Sequence, residues 1–116
     1  GPMMGFALFD LNVPIIKGTS GVLCWDETQA KVPVQTACLR CGSCIRACPM
    51  GLLPQQMKQL VDHKKWEKAD QIGMLDCIEC GCCAYACPAG LPLVQTFKLG
   101  KKNVMAERKK SAASKG

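Results

Sequence analysis

The chain has 116 residues, ten of them cysteine, and a formal charge of +6. That length fits one domain, or a small domain plus a satellite, with a modest core, and the cysteine density restricts it to a disulfide-stapled or a metal-binding class. No apolar run approaches the ~18 residues that span a bilayer, and no basic start leads into a long apolar run as in a secretory leader.

Residues 1–25 intersperse glycine and proline with short apolar pieces, FALF, VPII and GVLCW. They predict short strands and turns. Too few for an independent β domain, they are expected to be the terminal β/turn segment of a larger domain whose beginning precedes Gly1. Gly1-Pro2 reads equally as native sequence or as a protease scar. Residues 26–37, DETQAKVPVQTA, form a polar linker through which Pro33 opposes a helix.

Residues 38–100 hold two cysteine phrases separated by helical pieces. The spacing of Met57, Leu60 and Val61 predicts a helix from about Pro54 to Lys65, with proline acceptable in its first turn. Trp66, Ala69 and Ile72 form the inner side of a second short helix that Gly73 ends. A third helix starts near Pro92. Residues 101–116, Lys-rich and then Ser- and Ala-rich, read as a basic flexible tail. From Lys98 onward there are seven basic residues and one acidic, Glu107; the preceding chain is balanced, eight against eight.

The first phrase, CLRCGSCIRACP at 38–49, falls on the second, CIECGCCAYACP at 77–88, after a shift of 39 residues. Cys38, Cys41, Cys44 and Cys48 land on Cys77, Cys80, Cys83 and Cys87, and Gly42, Ala47, Pro49, Gly51 and Leu52 land on identical residues. This internal duplication implies two equivalent sites. It also sorts the cysteines. Cys82 falls on Ser43 and Cys24 has no counterpart, so neither is expected to be a ligand.

Each phrase reads C-x2-C-x2-C-x3-C-P, the run that wraps a [4Fe–4S] cubane. In two-cluster bacterial ferredoxins the fourth cysteine ligates the other cluster. The same crossing gives one cluster on Cys38, Cys41, Cys44 and Cys87 and a second on Cys77, Cys80, Cys83 and Cys48; the uncrossed assignment stays open. Zinc sites normally use two separated C-x2-C pairs, and cysteines three apart meet disulfide geometry poorly. Gly42 and Gly81 relieve crowding so that backbone N–H groups approach sulfur. The opposite charges at the equivalent positions Arg40 and Glu79 make the site of the first phrase the easier to reduce.

Two oxidised clusters, counted with their thiolates, bring the formal charge to about +2. With no recognition helix or aromatic-spaced basic groove, nucleic-acid binding is excluded as the function. His63, the single histidine, reads as a solvated side chain, and Trp66 as a core anchor. Tyr85 reads as a residue packed over a cluster or in the core. KGTSG at 17–21 lacks the order of a phosphate loop. Two functions compete: an electron-transfer relay through two [4Fe–4S] clusters, and a metal-stabilised structural or interaction module for subunit assembly.

The stretches CLRCGSCIRACPMGLLPQQM and DCIECGCCAYACPAGLPLVQTFKLGK, with GPMMGFALFDLNVPIIKGTSGVL before them, resemble the C subunits of the Rnf electron-transport complexes up to about Lys102. The resemblance implies a mainly α fold: a helical two-[4Fe–4S] ferredoxin-like domain with a short N-terminal β/irregular segment. It implies a part of a ferredoxin:NAD oxidoreductase coupled to ion translocation, peripheral on the cytoplasmic face of a prokaryotic membrane. Flavin and NAD(H) would be bound only by the missing portion of the parent protein, so the fragment alone would not be a complete enzyme. The implied partners are the other subunits of the complex and a soluble ferredoxin, with no catalytic residue in this chain.

Overall fold

The computed structural model describes residues 2–5 and 7–115. Gly1, Phe6 and Gly116 lie outside the described residues, and with them the Gly1-Pro2 junction and the start of the FALF piece. The described elements are a 3-10 turn Pro2–Met4, α1 Ser43–Ala47, α2 Pro54–Asp62, α3 Trp66–Gln71, a 3-10 turn Met74–Asp76, α4 Cys82–Tyr85 and α5 Leu93–Ser114.

Helix α2 opens on Pro54, whose missing N–H costs nothing at a first helical position. Its Met57 and Val61, one turn apart, are buried. Helix α3 turns back after Gln71, and Gly73 takes a left-handed conformation (φ 87°) that ends it. Helix α5 then lies across both, with Leu93, Phe97 and Val104 buried along one stripe. Gly100 lies on the same stripe: a Cβ there would stand 2.7 Å from Val61 Cγ2, so the missing side chain lets α5 approach α2 closely. Trp66 is partly buried against this core, as an anchor should be. His63 is exposed and its Nδ1 lies 3.0 Å from the Gln59 carbonyl.

Residues 101–114, read from the sequence as a Lys-rich tail, continue α5 to Ser114. Two contacts distant in sequence support that extension. Val104 is buried in the core, and Arg108 grips Asp70 of α3 through Nε at 2.6 Å and Nη2 at 2.7 Å.

The expected N-terminal β segment is corrected by the structure: no β-strand occurs among the described residues. A strand exists only through a partner that takes its N–H and C=O groups. Here several N–H groups in and just after the segment bond within local turns instead. The Asp10 carboxylate accepts the Asn12 N–H at 3.0 Å, Thr19 N–H donates to the Ile16 carbonyl at 2.9 Å, and Asp26 accepts from Thr28 and Gln29. The apolar side chains between these turns are left in solvent, Phe9 and Leu11 each 97% exposed. The segment is tied down near its start and through the linker that follows it. Met3 abuts Gly81, and Thr36 N–H donates to the Ala89 carbonyl at 3.0 Å, with Pro33 seated over Gly90.

Candidate functional site: two cysteine-lined cavities

The duplication seen in the sequence is repeated in the backbone. Arg40 and Glu79 share a left-handed conformation (φ 54° and 57°), as do Gly42 and Gly81 (74° and 84°) and Gly51 and Gly90 (64° and 64°). The hydrogen bonds repeat with them. Arg40 N–H donates to Cys38 Sγ at 3.4 Å and Glu79 N–H to Cys77 Sγ at 3.4 Å. Cys48 and Cys87 N–H groups each donate to a carbonyl three residues back at 3.3 Å, and Gly51 and Gly90 N–H groups then donate to the Cys48 and Cys87 carbonyls. Non-glycine residues adopt positive φ at a cost. Here it turns the chain so that an amide faces the sulfur two residues before it.

Two cavities result. One is lined by Cys38, Cys41, Cys44 and Cys87 together with apolar Leu91 and Leu93. The other is lined by Cys48, Cys77, Cys80 and Cys83 with Met57 and Phe97 behind them. Each phrase thus contributes three cysteines to one cavity and its fourth to the other. Cys24 is exposed, and neither it nor Cys82 lines a cavity. Tyr85 is 83% exposed and belongs neither to the core nor to a cavity wall, contrary to expectation. The four-residue helix α4 points it outward.

The two walls differ in electrostatics. Cys38 and Cys41 are exposed, and a hydrogen bond with Ser43 (Sγ–Oγ 3.4 Å) holds the Cys41 thiol below its ordinary range. Burial raises Cys44 and Cys77 and pushes Cys83 up to about 12. Arg46 closes the first loop, its Nη1 donating to the Cys41 carbonyl at 3.3 Å and its Nη2 to Ser43 Oγ at 3.1 Å. The second loop is closed by Lys101, whose Nζ donates to the Cys77 carbonyl and pairs with Glu79, both at 2.9 Å. Glu79 is thereby neutralised, so the charge contrast with Arg40 is smaller than sequence alone indicates. Lys101 escaped the sequence reading because it lies 24 residues beyond Cys77.

Among the described residues, no group of three or more His, Cys, Asp or Glu side chains is placed to hold a metal ion. This corrects the expectation of two [4Fe–4S] clusters, and with it the two-cluster fold and the relay through clusters. The thiols of each wall differ in burial, from exposed Cys38 to half-buried Cys44 in the first and from half-buried Cys77 to buried Cys83 in the second. As arranged they do not fit a metal centre, and no cluster chemistry is assigned to them.

A family model described as a 4Fe-4S dicluster domain matches residues 37–91. The chain is 41% identical over 110 residues to the C subunit of the Na(+)-translocating ferredoxin:NAD(+) oxidoreductase complex of Acetobacterium woodii, covering 95% of this chain and 25% of that protein. It is 48% identical over 111 residues to the C subunit of the ion-translocating oxidoreductase complex of Pseudomonas aeruginosa, covering 95% of this chain and 14% of that protein. The corresponding protein of Rhodobacter capsulatus is 44% identical over 101 residues, covering 87% of this chain and 20% of that protein. The chain therefore spans a quarter or less of the length of these relatives.

Proposed function

We infer the function from one premise: this chain belongs to the family of C subunits of ion-translocating oxidoreductase complexes, of the Rnf type. We propose that it is the segment of such a subunit on which electron transport through the complex depends. The observation that carries this is the identity of 41–48% over 95% of the chain, a span long enough to take in both cysteine phrases. The residues proposed to matter are two groups: Cys38, Cys41, Cys44 and Cys87, and Cys48, Cys77, Cys80 and Cys83.

The partners follow from the same premise: other subunits of a membrane complex coupled to ion translocation, with this segment peripheral on the cytoplasmic face. Among the described residues no helix is long and apolar enough to cross a membrane. Residues 1–25 belong, in this reading, with the remainder of the subunit. Their exposed side chains, among them Phe9, Leu11 and Ile15, have the apolar surface that packing against another body would bury.

The test is serine replacement of Cys77 and Cys80 in the full-length protein within its complex. Electron transport by membranes should fall at least tenfold while the complex still assembles. Unchanged electron transport in the assembled variant would overturn the proposal.

A further inference from the structure

The two cysteine loops are copies in backbone but not in charge. The first carries its own cations. Arg40 sits within it, and Arg46 donates to the Cys41 carbonyl from five residues away. In the second copy the shift of 39 residues replaces Arg40 by Glu79 and Arg46 by Tyr85. Tyr85, exposed to solvent, closes nothing. The second loop therefore has an anion where the first has a cation, and it has lost the local donor to its backbone.

Lys101 stands where that donor is missing. It reaches from α5 and makes two charge-assisted contacts at 2.9 Å, one to the Cys77 carbonyl and one to the Glu79 carboxylate. Both side chains are largely withdrawn from solvent, 18% and 25% exposed. The pair is thus better shielded from water than the chain's exposed ion pairs, where screening removes most of the attraction. Glu79 also holds a left-handed backbone (φ 57°), a conformation that persists only where its surroundings fix it. We propose that Lys101 is the positioning residue of the second cysteine loop: a cation on a distant helix that replaces the local Arg46 of the first and sets the placement of Cys77 and Cys80 beside their cavity. It makes the two cysteine loops electrically and mechanically distinct, one braced by Arg46 within its own phrase and one braced from α5. Loss of the Lys101 charge would therefore loosen the second loop and leave the Arg46 brace of the first in place. The consequence for electron transport rests on the function proposed above; the brace itself does not.

The test is site-resolved alkylation of the purified, reduced chain, followed by peptide mass spectrometry. Lys101→Met keeps the aliphatic stem and removes the charge. Taken per thiolate, because the Lys101 charge itself favours the Cys77 thiolate, the modification rates of Cys77 and Cys80 should rise about fivefold or more, while Cys38 and Cys41 stay within about twofold. Lys101→Arg keeps the charge and should bring both rates back to within about twofold of the parent. Glu79→Gln, a milder change, should raise the same two rates by at least about twofold. Unchanged Cys77 and Cys80 rates in Lys101→Met, an equal rise at all four cysteines, or no rescue by arginine would each overturn the proposal. Electron transport in the Cys77 and Cys80 serine variant tests the function separately, so the two can fail independently.

Discussion

Replacing Gly100 by alanine sets two known effects against each other. Alanine in an open helical position would stabilise α5 by about 1 kcal/mol, and burying its methyl would add at most about 0.8 kcal/mol. The position is not open. The new Cβ would lie 2.7 Å from Val61 Cγ2 and 3.2 Å from both Cε and Sδ of Met74. Carbon contacts settle near 3.5–4.0 Å, so the Val61 side is short by roughly 1 Å. Met74 can yield, being unbranched, but Val61 is stiff at χ1 and fixed on α2. Either α5 lifts from α2 or Val61 leaves its rotamer. Overpacking of this kind costs about 1–3 kcal/mol, and helix separation also loosens Phe97 and Val104, placing the strain at the upper end. The expected net is a loss of about 1 kcal/mol, read as a lower denaturant midpoint with unchanged slope. Val61→Ala removes the obstructing methyl, so the double variant should recover part of the loss, with a coupling of about 1 kcal/mol or more in a double-mutant cycle. A Gly100→Ala chain more stable than its parent, with no coupling to Val61→Ala, would refute the close approach of α5 and α2.

Arg108→Ala should release the end of α5. Amide exchange should quicken beyond Val104 and stay unchanged at Phe97, because the ion pair to Asp70 holds only the outer turns. Gly81→Ala should be the more damaging of two equivalent substitutions. Both Gly81 and Gly42 have positive φ, but a Cβ at Gly81 also collides with the Met3 backbone carbonyl, whereas at Gly42 it meets only the end of Arg46 at 3.4 Å; comparing unfolding midpoints decides this. The thiols should titrate in a set order. Cys41, held low by Ser43, should alkylate well before Cys83 near pH 8, and Ser43→Ala should slow it. Stability should follow Cys83 in the alkaline range. Its folded value lies above its unfolded one, so its contribution is complete below about pH 9 and is lost as pH climbs toward about 12. Midpoints measured at about pH 8 and 10.5 should therefore fall more in the parent than in Cys83→Ala.

Much of the helical body is legible in the sequence because its signals are local. Pro54 opens a helix, Gly73 stops one, and Met57 and Val61 fall on one face at helical spacing. The repeat is legible for the same reason, and it carries the conformations of Arg40 and Glu79 with it. What sequence conceals is what depends on partners far along the chain. Residues 8–25 have strand-like composition, yet composition supplies no pairing partner, and the chain closes local turns instead. The Lys-rich stretch after Lys101 looks unable to bury anything until Val104 enters the core and Arg108 meets Asp70 of α3. Lys101 is concealed likewise, since nothing near it in sequence points to Cys77. The cysteine pattern names residues and spacing, but the apolar backing of the cavities that those residues line, Leu93, Met57 and Phe97, belongs to the packed helices.

The arrangement of the eight repeat cysteines in two crossed groups is open to one direct measurement. The reduced chain, handled without oxygen, is treated with a short bis-maleimide, and the linked peptides are mapped by mass spectrometry. Links within a phrase form in any fold, because those cysteines are three or four residues apart. The informative links join the two phrases. Cys87 should link to Cys38, Cys41 or Cys44, and Cys48 should link to Cys77, Cys80 or Cys83, since each group lines one cavity. A map with only within-phrase links, or with the first three cysteines of one phrase joined to the first three of the other, would contradict the account.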